Sequence, residues 1–255
     1  MLLILMYHRV GDRRLGSGNP PEVLESHFAE FRRRGRVVLP GEPLSAGHLN
    51  VCLTFDDAYV DFYAHVFPLL KKYSLRAVLA VPTAFVISKT SLSMGERLSV
   101  TQDEAMQGEL FRIKAPFCTW AELREMSASG RVEIASHSHR HPDLRQAGTD
   151  VEFETAHSQS LLEQNLKCRV STFVYPYGSV NPRAHDAVLR HYAFAMRVGT
   201  ALNRNWSPRR QPLCRVGADD TPDITRLLRW RRRAAYGLKW AANGLRAAAG
   251  KWQPL

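Results

Sequence analysis

Two hydrophobic periods alternate along this chain. Short, mostly apolar runs occur at 2–7 (LLILMY), 51–55 (VCLTF), 76–82 (RAVLAVP), 131–136 (RVEIAS), 171–176 (STFVYP) and 192–198 (YAFAMRV). Between them apolar residues recur at three- and four-residue spacings. Val23, Leu24, Phe28 and Phe31 do so in 22–34, and Phe62, Val66, Leu69 and Leu70 in 59–73. The first pattern predicts buried strands and the second helices, with further helices over 119–130, 150–167 and 182–191. Thr119 reads as an N-cap completed by Glu122, with Gly130 at the helix end. Strand–helix alternation of this kind predicts parallel βαβ units and an α/β fold. Six or seven units are too many for a small sheet and suit a barrel-like closure. The stretch 88–118 has little apolar periodicity and reads as an insertion or lid.

Composition changes this picture little, except at one end. The 255 residues are 45% hydrophobic and 23% charged, as a folded core requires. No run approaches the roughly 18 apolar residues of a membrane span. The opening MLLILMYHRV has no basic leader region and reaches His8 and Arg9 quickly, so a buried first strand is expected and a signal peptide is not. Cys52, Cys118, Cys168 and Cys214 lie far apart and read as reduced thiols of a cytoplasmic protein. The net charge is +11, and no acidic residue follows Asp223. Most of the excess is Arg226, Arg229, Arg231, Arg232, Arg233, Lys239, Arg246 and Lys251.

In an α/β fold, active groups gather at the carboxyl ends of the strands. Three stretches follow predicted strands directly: Asp56–Asp57, the histidines of ASHSHRHPDL (135–144), and YPYG (175–178). His137 and His141 are four apart, a spacing that lets two imidazoles reach one metal; a polar loop with unrelated histidines is the alternative. Two histidines and one Asp with open positions bind zinc or another divalent metal and keep a water on it. A second carboxylate could then take that water's proton. On their own, adjacent Asp residues after a strand also read as an Asx-turn or helix cap.

Together, TFDDAY (54–59), SHSHRHP (136–142) and YPYG (175–178), in this order and strand–helix spacing, resemble the metal-dependent polysaccharide deacetylases with the NodB-homology domain, carbohydrate esterase family 4. The resemblance covers roughly residues 2–217. It implies a deformed (β/α) barrel that removes acetyl groups, mainly N-acetyl, from sugars. It implies Asp56 as catalytic base, Asp57, His137 and His141 as ligands of a divalent metal, foremost zinc, and the Tyr177 backbone N–H as an oxyanion donor. Two departures stand out. Ala58 replaces a usual glycine, and Val174 stands where most members carry an Arg that orients the base. The usual C-terminal general-acid histidine motif is also missing after residue 195. The start LLILMYHRV resembles the circularly permuted poly-N-acetylglucosamine deacetylases, which makes His8 the general acid. His139 is expected to be a bystander. Trp206 and Tyr59 are candidates for stacking on a sugar, and Glu96, Asp103 and Glu104 for lid contacts.

The expected organisation is a barrel over 1–222 and a basic amphipathic tail over 223–255. In the tail, Leu227, Leu228, Leu238, Ala242, Leu245, Ala249 and Trp252 fall near one helical face and arginines occupy much of the other. That pattern suits an anionic membrane surface through 224–252. Packing on the barrel, an oligomer contact and nonspecific nucleic-acid binding are the alternatives, and no motif supports specific nucleic-acid binding. The expected site is cytoplasmic, peripheral at the inner membrane face, with an acetylated amino sugar as substrate. Competing functions are a catalytically inactive glycan-binding or membrane-recruiting barrel and a non-sugar amidohydrolase on the same fold.

Overall fold

A computed structural model describes residues 1–16, 18–209 and 211–248. Ala249, Lys251 and Trp252 of the expected tail lie outside the described residues. Seven parallel strands form a closed barrel: β1 (Leu2–Tyr7), β2 (Asn50–Phe55), β3 (Ala77–Val81), β4 (Val132–Ser136), β5 (Thr172–Val174), β6 (Phe194–Val198) and β7 (Leu213–Gly217). The spatial order is β1-β7-β6-β5-β4-β3-β2, and β2 pairs back onto β1 from Leu2↔Asn50 to Tyr7↔Phe55. The short strand Arg36–Val37 adds to β2 outside the closure.

Alternation along each strand divides the core into two layers. Leu2, Ile4, Cys52, Val78, Ala80, Ala135, Val174 and Met196 pack inside the barrel. Leu3, Leu5, Tyr7, Val51, Leu53, Phe55 and Phe173 pack outward against the helices. These helices are α1 (Pro21–Arg34), α2 (Phe67–Lys72), α3 (Trp120–Ala128), α4 (Ser158–Leu166) and α5 (Pro182–His191). The Thr119–Glu122 capping box forms as expected at the start of α3. The helix expected over 59–73 is divided: a π-helical turn, Phe62–Val66, precedes α2. Pro68 has no N–H to give and would crowd the carbonyl one turn back, which favours the wider turn ahead of it.

Two parts of the fold depart from the pattern in the sequence. The stretch 88–118 is ordered, with short helices at Met94–Leu98, Gln102–Ala105 and Leu110–Lys114. It has its own small core of Tyr59, Val100, Ala105, Phe111 and Phe117. Buried Arg97 ties it down, pairing with Glu122 and donating to the carbonyls of Ala115 and Phe117. The seventh strand, β7, was not among the six expected. Its only long apolar side chains are Leu213 and Val216, and Arg215 interrupts them.

The chain then leaves the rim through Thr225–Leu228 and enters a long helix, α6 (Trp230–Ala248). Ile224 and Tyr236 are buried against the outer core layer. The backbone N–H of Leu202 donates to Tyr236 O, and Asn203 pairs with Leu2 at the start of β1. The middle of α6 therefore rests near the amino end of the barrel, opposite the end where the chemical motifs gather. Among the described residues no helix is long and apolar enough to cross a membrane.

Candidate metal and catalytic site

The alternation that builds the core also aims the site. On β2 the inward series Cys52, Thr54 continues to Asp56, and on β7 the inward series runs from Leu213 to Arg215. Asp56 is buried, and Arg215 grips it from inside the barrel: Nη1 donates to Oδ1 at 2.6 Å and Nη2 to Oδ2 at 2.8 Å. Arg215 Nη1 also donates to Thr54 Oγ1, itself bonded to Leu5 O, so the guanidinium plane is fixed. Burial alone would raise the Asp56 pKa; the Arg215 charge overrides it and holds the carboxyl well below the usual range. The orienting Arg missing at Val174 is thus supplied from another strand. Val174 faces the barrel interior, and its carbonyl accepts from His137 Nδ1 at 2.8 Å.

Asp57 points elsewhere because its backbone turns sharply. Asp57 and Ala58 have φ of 69° and 54°, in the left-handed region. A residue with a Cβ is disfavoured there, by about 1–2 kcal/mol, so a glycine would suit position 58 better than Ala58 does. The turn brings Asp57 Oδ1 to 3.5 Å from His137 Nε2 and 3.4 Å from His141 Nε2, while the two nitrogens are 3.2 Å apart. His137 donates through Nδ1, which leaves its Nε2 lone pair for a ligand. Burial lowers the pKa of His137 and of His141 to about 4, so both rings are neutral near pH 7. Asp57 Oδ1 is buried and has no hydrogen-bond partner. An unpaired buried carboxylate oxygen facing two imidazole lone pairs is costly without a cation. These residues therefore fit a divalent metal: one oxygen and two nitrogens, spaced as neighbouring ligands of one ion are at bond lengths of about 2 Å.

The histidine loop is braced by groups that the sequence reading missed. Glu154 Oε2 accepts from the backbone N–H of His139 and of Arg140, and Ser138 Oγ accepts from His141 N. His139 turns away, bonding Thr83 Oγ1 and packing edge-on to Phe153 and His157. At the rim beside Asp56 stands His8, its Nε2 3.7 Å from Asp56 Oδ2. Its Nδ1 donates to Asp219 Oδ2 at 2.6 Å, and its backbone N–H to Asp219 Oδ1. Burial opposes a charge on His8, but the Asp219 hydrogen bond and the charges of Asp56 and Asp57 push its pKa up to about 9. Asp219 opens a second Asp pair after a strand, Asp219–Asp220, which repeats the signature of 56–57 in the sequence.

His8, Asp56, Asp57, His137, His141 and Arg215 line one cavity of about 230 Å³ with Tyr175, Tyr177, Gln102 and Met106. Gln102 and Met106 come from the 88–118 segment, so it does border the site. Tyr177, with φ 56°, is exposed and sets its ring edge-on to His141, with centroids 4.7 Å apart. Other candidates lie elsewhere. Tyr59 is buried against Phe117 beneath Arg9, and Trp206 packs on Phe194 and donates to Glu42 O. Glu96 and Glu104 cap their own short helices, the latter also pairing with Lys114.

Comparison with known proteins gives the same direction. The sequence profile of the family described as Polysaccharide deacetylase matches residues 46–194, which include Asp56, Asp57, His137, His141 and Tyr177. His8, Arg215 and Asp219 fall outside that match. The chain is 27% identical over 193 residues to "Putative polysaccharide deacetylase YxkH" of Bacillus subtilis, covering 71% of this chain and 58% of that one. It is 34% identical over 124 residues to the poly-beta-1,6-N-acetyl-D-glucosamine N-deacetylase of Escherichia coli K12, covering 45% of this chain. The chain thus spans 58% and 17% of the lengths of these two relatives. Its fold resembles that of the Streptococcus pyogenes deacetylase PplD, with TM-score 0.69 and 22% identity over 89% of this chain and 96% of that one. It also resembles IcaB from Ammonifex degensii, with TM-score 0.65 and 23% identity over 92% and 96%. With the motifs in one cavity and the profile matching more than half its length, the chain belongs to the polysaccharide deacetylase family.

Proposed function

We propose that the protein hydrolyses N-acetyl groups of an amino sugar, carried in a polysaccharide, an oligosaccharide or a lipid-linked glycan precursor. The observation that carries this reading is the pairing of two differently tuned carboxylates in one small cavity. Asp56 is held ionised by Arg215, and Asp57 is left open towards two neutral imidazoles. Asp57, His137 and His141 would hold the metal, and two nitrogens with one oxygen suit zinc. When bound, the ion supplies positive charge that polarises the acetyl carbonyl and makes water acidic. Asp56, aimed by Arg215, takes the proton of the attacking water. His8, kept protonated by Asp219, gives a proton to the sugar nitrogen so that the amine leaves neutral. The Tyr177 backbone N–H donates to the oxygen on which negative charge develops. The catalytic unit in this proposal is residues 1–222, with 223–255 as an appended basic segment that meets an anionic membrane surface.

The test is release of acetate from N-acetylglucosamine oligomers, β-1,6-linked ones first, by zinc-loaded protein. Asp56→Asn is expected to retain metal and lose turnover by about 10²–10⁴-fold, the usual worth of a positioned base. Full activity of that variant would remove Asp56 from the role. His8→Ala should also retain metal and slow turnover about 10²-fold, and Asp219→Asn should slow it less, by loosening His8. Equal rates in wild type and His8→Ala would leave the leaving amine to be protonated by another group.

A further inference from the structure

Helix α6 has two unlike faces, and only one is used by the barrel. Tyr236 is buried, Trp240 lies under the Arg204 guanidinium, and Asn243 approaches Cys214 at the start of β7. Further round the helix Trp230, Ala234, Leu238, Ala241 and Leu245 form a stripe at four- and three-residue spacings, of which Ala241 and Leu245 also border an open groove of about 910 Å³ with Arg204, Pro212 and Leu213. Its large members are strongly exposed: Trp230 68%, Leu238 75% and Leu245 75%. Exposed Arg231, Arg232, Lys239 and Arg246 flank the stripe, and no acidic residue occurs anywhere from 224 to the end of the sequence. An exposed row of apolar side chains bordered by cations, with no acid on the helix, matches an anionic lipid interface. The apolar stripe enters the acyl boundary and the long basic side chains reach up to phosphates. A nucleic-acid surface would satisfy the cations but gives Leu238 and Leu245 nothing to bury against.

We infer that the outer face of α6 docks the amino end of the barrel on an anionic bilayer, with the catalytic rim facing away from it. This rests on the membrane reading above and narrows the substrate reading. Most strands have five or six residues rising about 3.3 Å each, and tilted as in a barrel they put the cavity roughly 15–20 Å beyond the docked end. A sugar joined directly to a lipid phosphate in that same bilayer stays at the headgroup level and cannot reach the cavity. The glycan that fits is an oligomer or polymer that extends well clear of the surface.

Two measurements, neither needing turnover, test this. The first is co-sedimentation with phosphatidylcholine vesicles with and without phosphatidylglycerol, for wild type and Leu238→Glu/Leu245→Glu. Binding is expected only with the anionic lipid, and the double variant should lose about tenfold or more in affinity. No sedimentation of wild type, or binding untouched by the double variant and abolished by salt or competing RNA, overturns the docking. The second places an environment-sensitive fluorophore at Leu238→Cys or Tyr177→Cys in a Cys168→Ser background, since Cys168 is the exposed thiol among the described residues. The dye at 238 should shift to the blue on anionic vesicles and the dye at 177 should not. A shift at both positions would overturn the orientation while leaving the deacetylase reading intact.

Discussion

Zinc-loaded protein should carry about one metal per chain, and the His137→Ala/His141→Ala variant close to none, by elemental analysis after gel filtration. Two of three ligands are lost in that variant, and a single carboxylate does not hold zinc against water. Asp57→Ala should also lose metal, because it removes the one anionic ligand. The metal should stabilise the fold as well as equip it. The unpartnered buried Asp57 Oδ1 gains a partner only in the loaded protein. At free zinc about a hundredfold above Kd, binding contributes about 2.7 kcal/mol, or a rise in Tm of roughly 5–10 °C for a domain of this size. The rise should be absent in the double variant. Little metal in wild type even after reloading, with no thermal shift, would remove the hydrolytic mechanism and return the inactive binding barrel to first place.

Arg215→Met should be the most damaging single substitution for stability, and should slow turnover as well. It leaves the buried carboxylate of Asp56 without its bidentate partner, a change that costs about 3–5 kcal/mol in buried pairs. Turnover should fall by about 10² or more, because Asp56 loses both its aim and its charge. The pH dependence separates this from simple loss of packing. In wild type the folded pKa of Asp56 is depressed. Its contribution is therefore present above the unfolded value of about 3.9 and is lost as pH falls further towards the folded value. Without the guanidinium, burial raises that pKa instead. The stability deficit of Arg215→Met should thus be largest near neutral pH and narrow towards about pH 4. Adding Asp56→Asn to Arg215→Met should restore much of the stability but no activity, since the buried charge is gone. Urea melts of the three proteins across pH decide it: a deficit independent of pH, or no rescue by the second substitution, would show that Arg215 acts through packing alone. Arg215→Lys keeps the charge without the two-pronged fork and should recover stability more than rate.

The alternation of short apolar runs and amphipathic helices determined the α/β class and six of the seven strands, because fully buried parallel strands cannot avoid continuous hydrophobic composition. Placing Asp56, Asp57, His137, His141 and Tyr177 directly after such strands was enough to predict that they share one rim. Local pattern also fixed the α3 cap, whose signals lie within four residues of each other. What only the tertiary structure decided was pairing between groups far apart in the chain. Arg215 meets Asp56 across 159 positions, and Asp219 meets His8 across 211. No periodicity encodes such contacts; they follow from closing β7 against β1, and the charge of Arg215 hides the strand that carries it. The resemblance implies different roles for Asp56 and Asp57, but two adjacent identical letters do not show the geometry that separates them. It depends on a left-handed turn at Asp57 and on the side of the barrel wall each carboxylate faces. The sequence determined that α6 would be amphipathic and basic, whereas which face the barrel covers, and at which end, depended on Tyr236 and Asn243 finding partners at Leu202 and Cys214.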